Sequence, residues 1–296
     1  MNRKFLAIVI AALVGVGGAV IQVQSQQQRQ PVPVKYQKLK DNLWVICSQS
    51  TECPIIGAGG NIGVRVTPEG VIIIDDKYAV DYTYIYNAIR DITDLPVKYV
   101  INTHHHGDHT GGNVQFGKIA ELVAHKNARD NMVRGNLPGL PRIVFTDQAS
   151  VNIGGAEVRA QYFGRGHTNG DIVIYFPDLR TIHAGDLINA TTPFNVDYAN
   201  GGSALDWPKT FENLAKLDFD TVIPGHGPIM TRADFEVYRN KYTTLLDRMT
   251  QLVRQGTKKE EFRSKIQMSD LGWDIATATN FTSRLDRIYD EIAASR

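Results

Sequence analysis

The chain has 296 residues, 43% of them hydrophobic and 21% charged, with a formal net charge of +1. This is globular composition, with room for one large domain and a packed core; it excludes a disordered or low-complexity chain. No excess of Lys and Arg offers a track for phosphates, so a nucleic-acid partner is not expected.

At the N-terminus, Arg3 and Lys4 precede an uncharged apolar run from Phe5 to Ile21, short for a membrane span. A Gln-rich stretch with Pro31 and Pro33 follows. This pattern predicts a signal peptide over residues 1–25, cleaved after Ser25, and export to a periplasm or the medium without stable membrane insertion. An uncleaved anchor is the alternative. Removing residues 1–25 leaves 30 basic and 31 acidic residues. Residues 26–38 read as a linker and 39–296 as the folded domain. The two cysteines, Cys47 and Cys53, either close a small disulfide loop, as export would permit, or are unrelated thiols.

Strands are expected at Leu43–Ile46, Asn61–Val66 and Val71–Ile74, the last two joined by a turn at Pro68, Glu69 and Gly70. Between the first two, Gly57-Ala58-Gly59-Gly60 lacks the Lys and helix of a phosphate cradle and reads as a mobile loop. Helical spacing covers Val80–Ile92, and Pro96 ends it. From there one arrangement recurs: a short apolar strand runs into a loop that opens with a metal-ligand residue type. Val97–Ile101 leads to His104-His105-His106-Gly107-Asp108-His109, and Val158–Phe163 leads to Gly166-His167. Thr181–Ala184 leads to Gly185-Asp186, and Thr221–Ile223 leads to Pro224-Gly225-His226-Gly227. Loops at strand ends can hold ligands of one site rigidly. Helices are expected from Asp206 to about Leu217, after Thr231, and over Ser283–Ala293. Alternating strands and helices predict a layered α/β fold.

Zinc prefers imidazole and carboxylate donors, and His104, His106, Asp108 and His109 fall within six residues. The two His spaced by one residue can converge on one ion, while Asp108 and His109 can turn toward a second. Singly, each motif also fits a bland role: a surface His tract, a turn Asp, a turn His. Together, five of the eight histidines occupy such positions. His105 is expected to point away from the ions, and His125 and His183 to be surface or core residues. The loop 193–203 either lines the substrate pocket, with Phe194 and Tyr198 as apolar contacts, or is a plain surface connection.

The order and surroundings of these residues resemble the metallo-β-lactamase superfamily over about residues 40–230. The resemblance implies a four-layer αββα sandwich with the site at one edge of the sheets. It also implies two zinc ions: His104, His106 and His167 on the first, Asp108, His109 and His226 on the second, and Asp186 bridging. Two ions about 3.5–4 Å apart can hold a hydroxide that attacks a carbonyl. Asp108 would orient it or accept its proton. The expected activity is hydrolysis of a small ester, lactone, amide or β-lactam. Zinc β-lactamases typically carry Cys or Ser where this chain has Asp186, which weighs against lactams as the main substrate. The alternatives are a glyoxalase II-like thioesterase, a mononuclear iron-dependent oxygenase and an inactive zinc-binding protein.

Overall fold

The computed structural model describes residues 29–48 and 59–295. The predicted signal peptide, Cys53, Gly57 and Ala58 lie outside the described residues. Among those described, no helix is long and apolar enough to cross a membrane.

Two sheets face each other. The first has seven strands in chain order: β1 (Val34–Lys40), β2 (Leu43–Ser48), β3 (Ile62–Thr67), β4 (Gly70–Ile74), β5 (Val97–Asn102), β6 (Glu121–His125) and β7 (Ile143–Phe145). Pairing is antiparallel from β1 to β4 and parallel from β4 to β7. The second sheet holds β8 (Gln148–Ile153), β9 (Ala156–Tyr162), β10 (Ile172–Phe176), β11 (Thr181–Asn189), β12 (Thr221–His226) and β13 (Met230–Thr231), in the order β13-β12-β11-β10-β9-β8. Helices α1 (Tyr82–Ile92), α2 (Gly107–Thr110), α3 (Asn113–Phe116) and α4 (Lys126–Arg134) belong to the first half. The second half carries α5 (Trp207–Leu214), α6 (Arg232–Arg254), α7 (Lys259–Lys265), α8 (Thr279–Thr282) and α9 (Leu285–Ala294).

The inner strands show why four layers form. Strand β4 reads Gly-Val-Ile-Ile-Ile and is buried throughout. Ile72 and Ile74 pack between the sheets, whereas Val71 and Ile73 pack outward against α1 and Phe116 of α3. Strand β10 does the same on the other sheet. Its Ile172, Ile174 and Phe176 face the inter-sheet core, and Val173 and Tyr175 face the helices around Trp207, Phe211 and Tyr242. A strand apolar on both faces must be covered on both, and helices supply the outer cover. The fold is therefore the expected αββα sandwich.

Residues 34–38, read from the sequence as linker, are instead most of strand β1, which pairs antiparallel with β2. Strand β11 also runs past its predicted end at Ala184, through Gly185 and Asp186 to Asn189, with its register against β12 shifting around Gly185. Asp186 thus projects from a strand, not from a loop. Helix α6 begins where expected: the Thr231 side chain accepts from Asp234 N and the Asp234 carboxylate accepts from Thr231 N, a reciprocal cap. Cys47 is disulfide-bonded, as export would permit.

The inter-sheet layer should dominate stability. Ile174→Ala, at a fully buried site, is expected to destabilise the chain by about 2–5 kcal/mol. Urea unfolding of wild type and variant checks this; a loss well below 1 kcal/mol would mean that the layers are not close-packed there.

Candidate metal centre

The predicted ligands converge at one edge of the two sheets. His104 and His106 follow β5, Asp108 and His109 sit in α2, and His167 lies between β9 and β10. Asp186 projects from β11 and His226 ends β12. Donor atoms of His104, His106 and His167 lie within 4.8 Å of one another, as do those of Asp108, His109 and His226. Asp186 stands between the two triads. Its Oδ1 is 3.1 Å from His109 Nε2 and 3.2 Å from His226 Nε2, and its Oδ2 is 3.7 Å from His167 Nε2.

Hydrogen bonds on the far side of each ring decide which nitrogen carries the proton. His109 Nδ1 donates to Asp75 Oδ2 at 2.7 Å. Thr103 Oγ1 donates to the same carboxylate oxygen at 2.7 Å, so it accepts from His104 Nδ1 at 3.1 Å. His106 Nε2 donates to Asp197 Oδ2 at 2.9 Å, and His167 Nδ1 donates to the Asn195 carbonyl. With the outer nitrogen occupied, the other nitrogen of each ring faces inward. His106 Nδ1 and His167 Nε2 then face each other at 2.8 Å. Two acceptors so close require a cation or a proton between them. Metal-binding histidines have this arrangement, their other nitrogen donating to an oxygen.

Two further observations fit metal ions. His104 Nε2 and Asp186 Oδ1 are buried atoms without a hydrogen-bond partner; the close contacts of Asp186 Oδ1 lack hydrogen-bond geometry. Buried polar atoms are seldom left so unless another ligand takes them. The charges agree. Burial alone would raise the carboxyl of Asp186, yet His226 and His109 beside it hold it well below the usual carboxylate range. The Asp108 carboxyl is likewise raised by burial but held low overall by His109 and His226. Against burial, which lowers it, Asp186 and Asp108 push His226 up to about 9, and with Asp75 they raise His109 well above its ordinary value. Imidazolium ions thus stand where the second triad calls for positive charge. In the first triad, burial and then neighbouring histidines keep His104 low and bring His167 down to about 4.

Glycines let the walls close on this centre. A Cβ at Gly60 would lie 2.2 Å from the His109 ring, and one at Gly225 would lie 2.1 Å from Asp186 Oδ1. Gly59 and Gly60 are buried, Gly60 N donates to the Asp108 carbonyl at 3.0 Å, and Lys77 Nζ donates to the Gly60 carbonyl. This half of the Gly-Ala-Gly-Gly segment is therefore a pinned wall, not the mobile loop expected from composition.

A cleft of about 280 Å³ opens beside the triads, lined by Tyr78, Asn189, Thr191, Thr192, Asn195 and Asn280 along with His106, Asp108, His167, Asp186 and His226. Phe194 borders it, but its ring is buried in the core 4.1 Å from Tyr242. Tyr198 does not line it; its hydroxyl donates to Glu291 Oε2 at 2.7 Å. Of the other histidines, His105 is buried with Nε2 3.8 Å from Asp197 Oδ2. His125 and His183 are core residues, bonded to the carbonyls of Thr146 and Asn61. Sequence reasoning missed Asp75 and Asp197. Asp75 had one signal, the run of Val71–Ile74 straight into two carboxylates.

The metallo-β-lactamase superfamily family model matches residues 57–226, more than half of the chain and the span that holds every one of these donors. The chain belongs to that superfamily. Metallo-β-lactamase IND-1 of Chryseobacterium indologenes is 28% identical over 166 residues, 54% of this chain and 69% of its own. A type 2 metallo-β-lactamase of Elizabethkingia meningoseptica is 26% identical, over 65% of this chain and 78% of its own. The alpha subunit of 2,4-dinitroanisole O-demethylase from Nocardioides sp. is 31% identical, over 48% of this chain and 44% of its own. Among solved structures, the DIM-1 metallo-β-lactamase shares the fold at TM-score 0.61 and 19% identity, over 72% of this chain and 98% of that one.

The raised histidines give a pH prediction. A folded-state value of about 9 for His226, above the ordinary 6.5, means the imidazolium stabilises the metal-free fold below about pH 6.5. That contribution fades as pH rises through 9. A metal ion must displace that proton. At pH 7, metal binding is expected to release at least about one proton, and affinity should rise with pH up to about 9. Calorimetric titration in two buffers of different ionisation enthalpy measures this, and buffer-independent heats would contradict it. Gly60→Ala, by crowding His109, should weaken the second triad's metal by about tenfold or more, read by competition with a chelator; unchanged affinity would show that the wall yields.

Proposed function

We propose that the chain is a dizinc hydrolase acting on the carbonyl of a small ester, lactone, amide or lactam. The observation that carries this reading is the pair of donor triads on either side of Asp186, with unpartnered donor atoms turned inward. His104, His106 and His167 would hold one ion, Asp108, His109 and His226 the other, and Asp186 both. Zinc, when bound, supplies Lewis acidity and makes water a nucleophile at neutral pH.

The chain's own residues supply the rest. Asp108 lines the cleft and is held ionised, so it can receive a proton from the attacking water. His104 and His167, kept neutral, present lone pairs at neutral pH. Hydroxyls and amides of Thr191, Thr192, Asn189, Asn195 and Asn280 can orient a polar neutral substrate. No lysine or arginine is among the described lining residues, and residues 49–58, outside them, contain none. The guanidinium of Arg29 lies over the ring of Tyr78, and that of Arg284 donates to Asn195 Oδ1, so each touches a lining residue without being one. This favours uncharged esters and lactones over lactams that carry a carboxylate. Export, read from the N-terminal sequence, is supported by the disulfide at Cys47.

The zinc-loaded chain is to be assayed on a chromogenic cephalosporin, a p-nitrophenyl ester and a lactone, beside Asp108→Ala. A missing charged hydrogen bond is worth about 1.5–3 kcal/mol, so kcat/KM for ester or lactone is expected to exceed that for the cephalosporin by about tenfold or more. Asp108→Ala should abolish all three. Turnover at wild-type rate in a folded, metal-loaded Asp108→Ala would remove Asp108 from the chemistry. A cephalosporin preference would overturn the neutral-substrate reading.

A further inference from the structure

The family match ends at residue 226, and the helices after it do more than cover the second sheet. Helix α9 carries Glu291, whose carboxylate accepts three hydrogen bonds from one short segment: from Tyr198 Oη at 2.7 Å, from Ala204 N at 3.0 Å and from Ser203 Oγ. That segment is the one that grips the first triad. Asp197 Oδ2 takes the outer nitrogen of His106 and the Asn195 carbonyl takes that of His167. The backbone closes the loop, with Asp197 N donating to the His167 carbonyl at 2.8 Å and Ser203 N to the Gly166 carbonyl at 2.9 Å. Neighbouring contacts reinforce the seat: Phe281 of α8 lies 5.1 Å from Phe194, and Tyr242 of α6 donates to the Ala204 carbonyl at 3.0 Å.

Three donors meeting on one carboxylate fix the segment against α9 more firmly than apolar contact alone, because charge-assisted hydrogen bonds are strong and directional. Among the described residues the second triad shows no such tie: its outer support is Asp75, just past β4. We propose that Glu291 is a positioning residue for the first metal triad, so that α9 sets affinity there through the segment 195–204 while the second triad is indifferent to it. This rests on the dizinc reading above.

The test is a zinc titration of the full chain against a chromophoric chelator, resolving two affinities. It compares wild type with Glu291→Ala, Glu291→Gln, Asp197→Ala and Asp290→Asn. Asp290, on the same helix as Glu291, pairs with Lys259 of α7, outside the segment 195–204, so Asp290→Asn reports general weakening of α9. Removing a group that directly orients a metal-binding histidine costs about 10–100-fold in affinity, which sets the expectation for Asp197→Ala. Glu291→Ala should weaken one of the two sites by about tenfold and leave the other within error. Glu291→Gln, which retains an acceptor, should recover part of the loss, and Asp290→Asn should change neither site. If Glu291→Ala does not fold, Tyr198→Phe removes a single donor and should still weaken one site alone, by about fivefold. Unaltered affinities in a folded Glu291 variant, or equal weakening of both sites matched by Asp290→Asn, would overturn the proposal. A wild-type chain that binds fewer than two ions would instead remove the dizinc reading itself.

Discussion

Everything at the centre depends on where four imidazole protons sit. His104, His106, His109 and His167 each donate outward, to Thr103, Asp197, Asp75 and the Asn195 carbonyl. That arrangement turns the other nitrogen of each ring inward, into a space with few other partners. Asp75 does most of this work. It is wholly buried at the end of β4, and it accepts from His109, from Thr103 Oγ1 and from Thr103 N at 2.7 Å. One carboxylate thereby fixes a histidine of each triad. Because Asp75 N also donates to the Ile101 carbonyl at 3.0 Å, its position is set by the pairing of β4 with β5. The rigidity of the sheet is passed to the rings through a single side chain.

The donors were legible in the sequence because they are clustered or punctuated. His104 to His109 are adjacent, and His167, Asp186 and His226 each follow an apolar run that ends in glycine. Asp75 and Asp197 were not legible as supports, since each stands more than ten residues from any histidine it serves and acts only through tertiary approach. Tyr198 illustrates the opposite error. An aromatic ring in a polar loop near Asp186 suggests a substrate contact, yet its hydroxyl finds a carboxylate 93 residues away. Fold class followed from alternation of strands and helices, but the N-terminal boundary did not. Strand β1 reads Val-Lys-Tyr-Gln-Lys-Leu-Lys because it lies at a sheet edge, where lysines are favoured and apolar periodicity is weak. Its composition therefore resembles that of a linker.

The division of the chain has a physical sense. Residues 57–226 carry every donor atom, as the family match would suggest, but the donors' surroundings draw on both ends. Arg29 lies on Tyr78, which lines the cleft, and Asn280 of α8 lines it too. A superfamily can keep one donor set and change substrates by altering such borders, because function resides in the site and its loops more than in the fold. The named relatives, lactamases and an O-demethylase subunit, are in keeping with that freedom.

Negative charge in the donor cluster is held by protons as well as by geometry. Four carboxyl groups act as acceptors around the donor cluster: Asp75 and Asp197 behind the rings, Asp108 and Asp186 among them. The ammonium of Lys77, wholly buried and interacting with Asp108 and Asp75, offsets part of their negative charge. Without metal, the chain reaches a partial balance by protonating His226 and His109, the two rings nearest Asp108 and Asp186. Protons and metal ions therefore compete for the same positions, and the second triad is where that competition is fought. In the first triad His104 and His167 are kept neutral already, so what limits it is geometry: whether His106 and His167 are held at the angle their outer partners dictate.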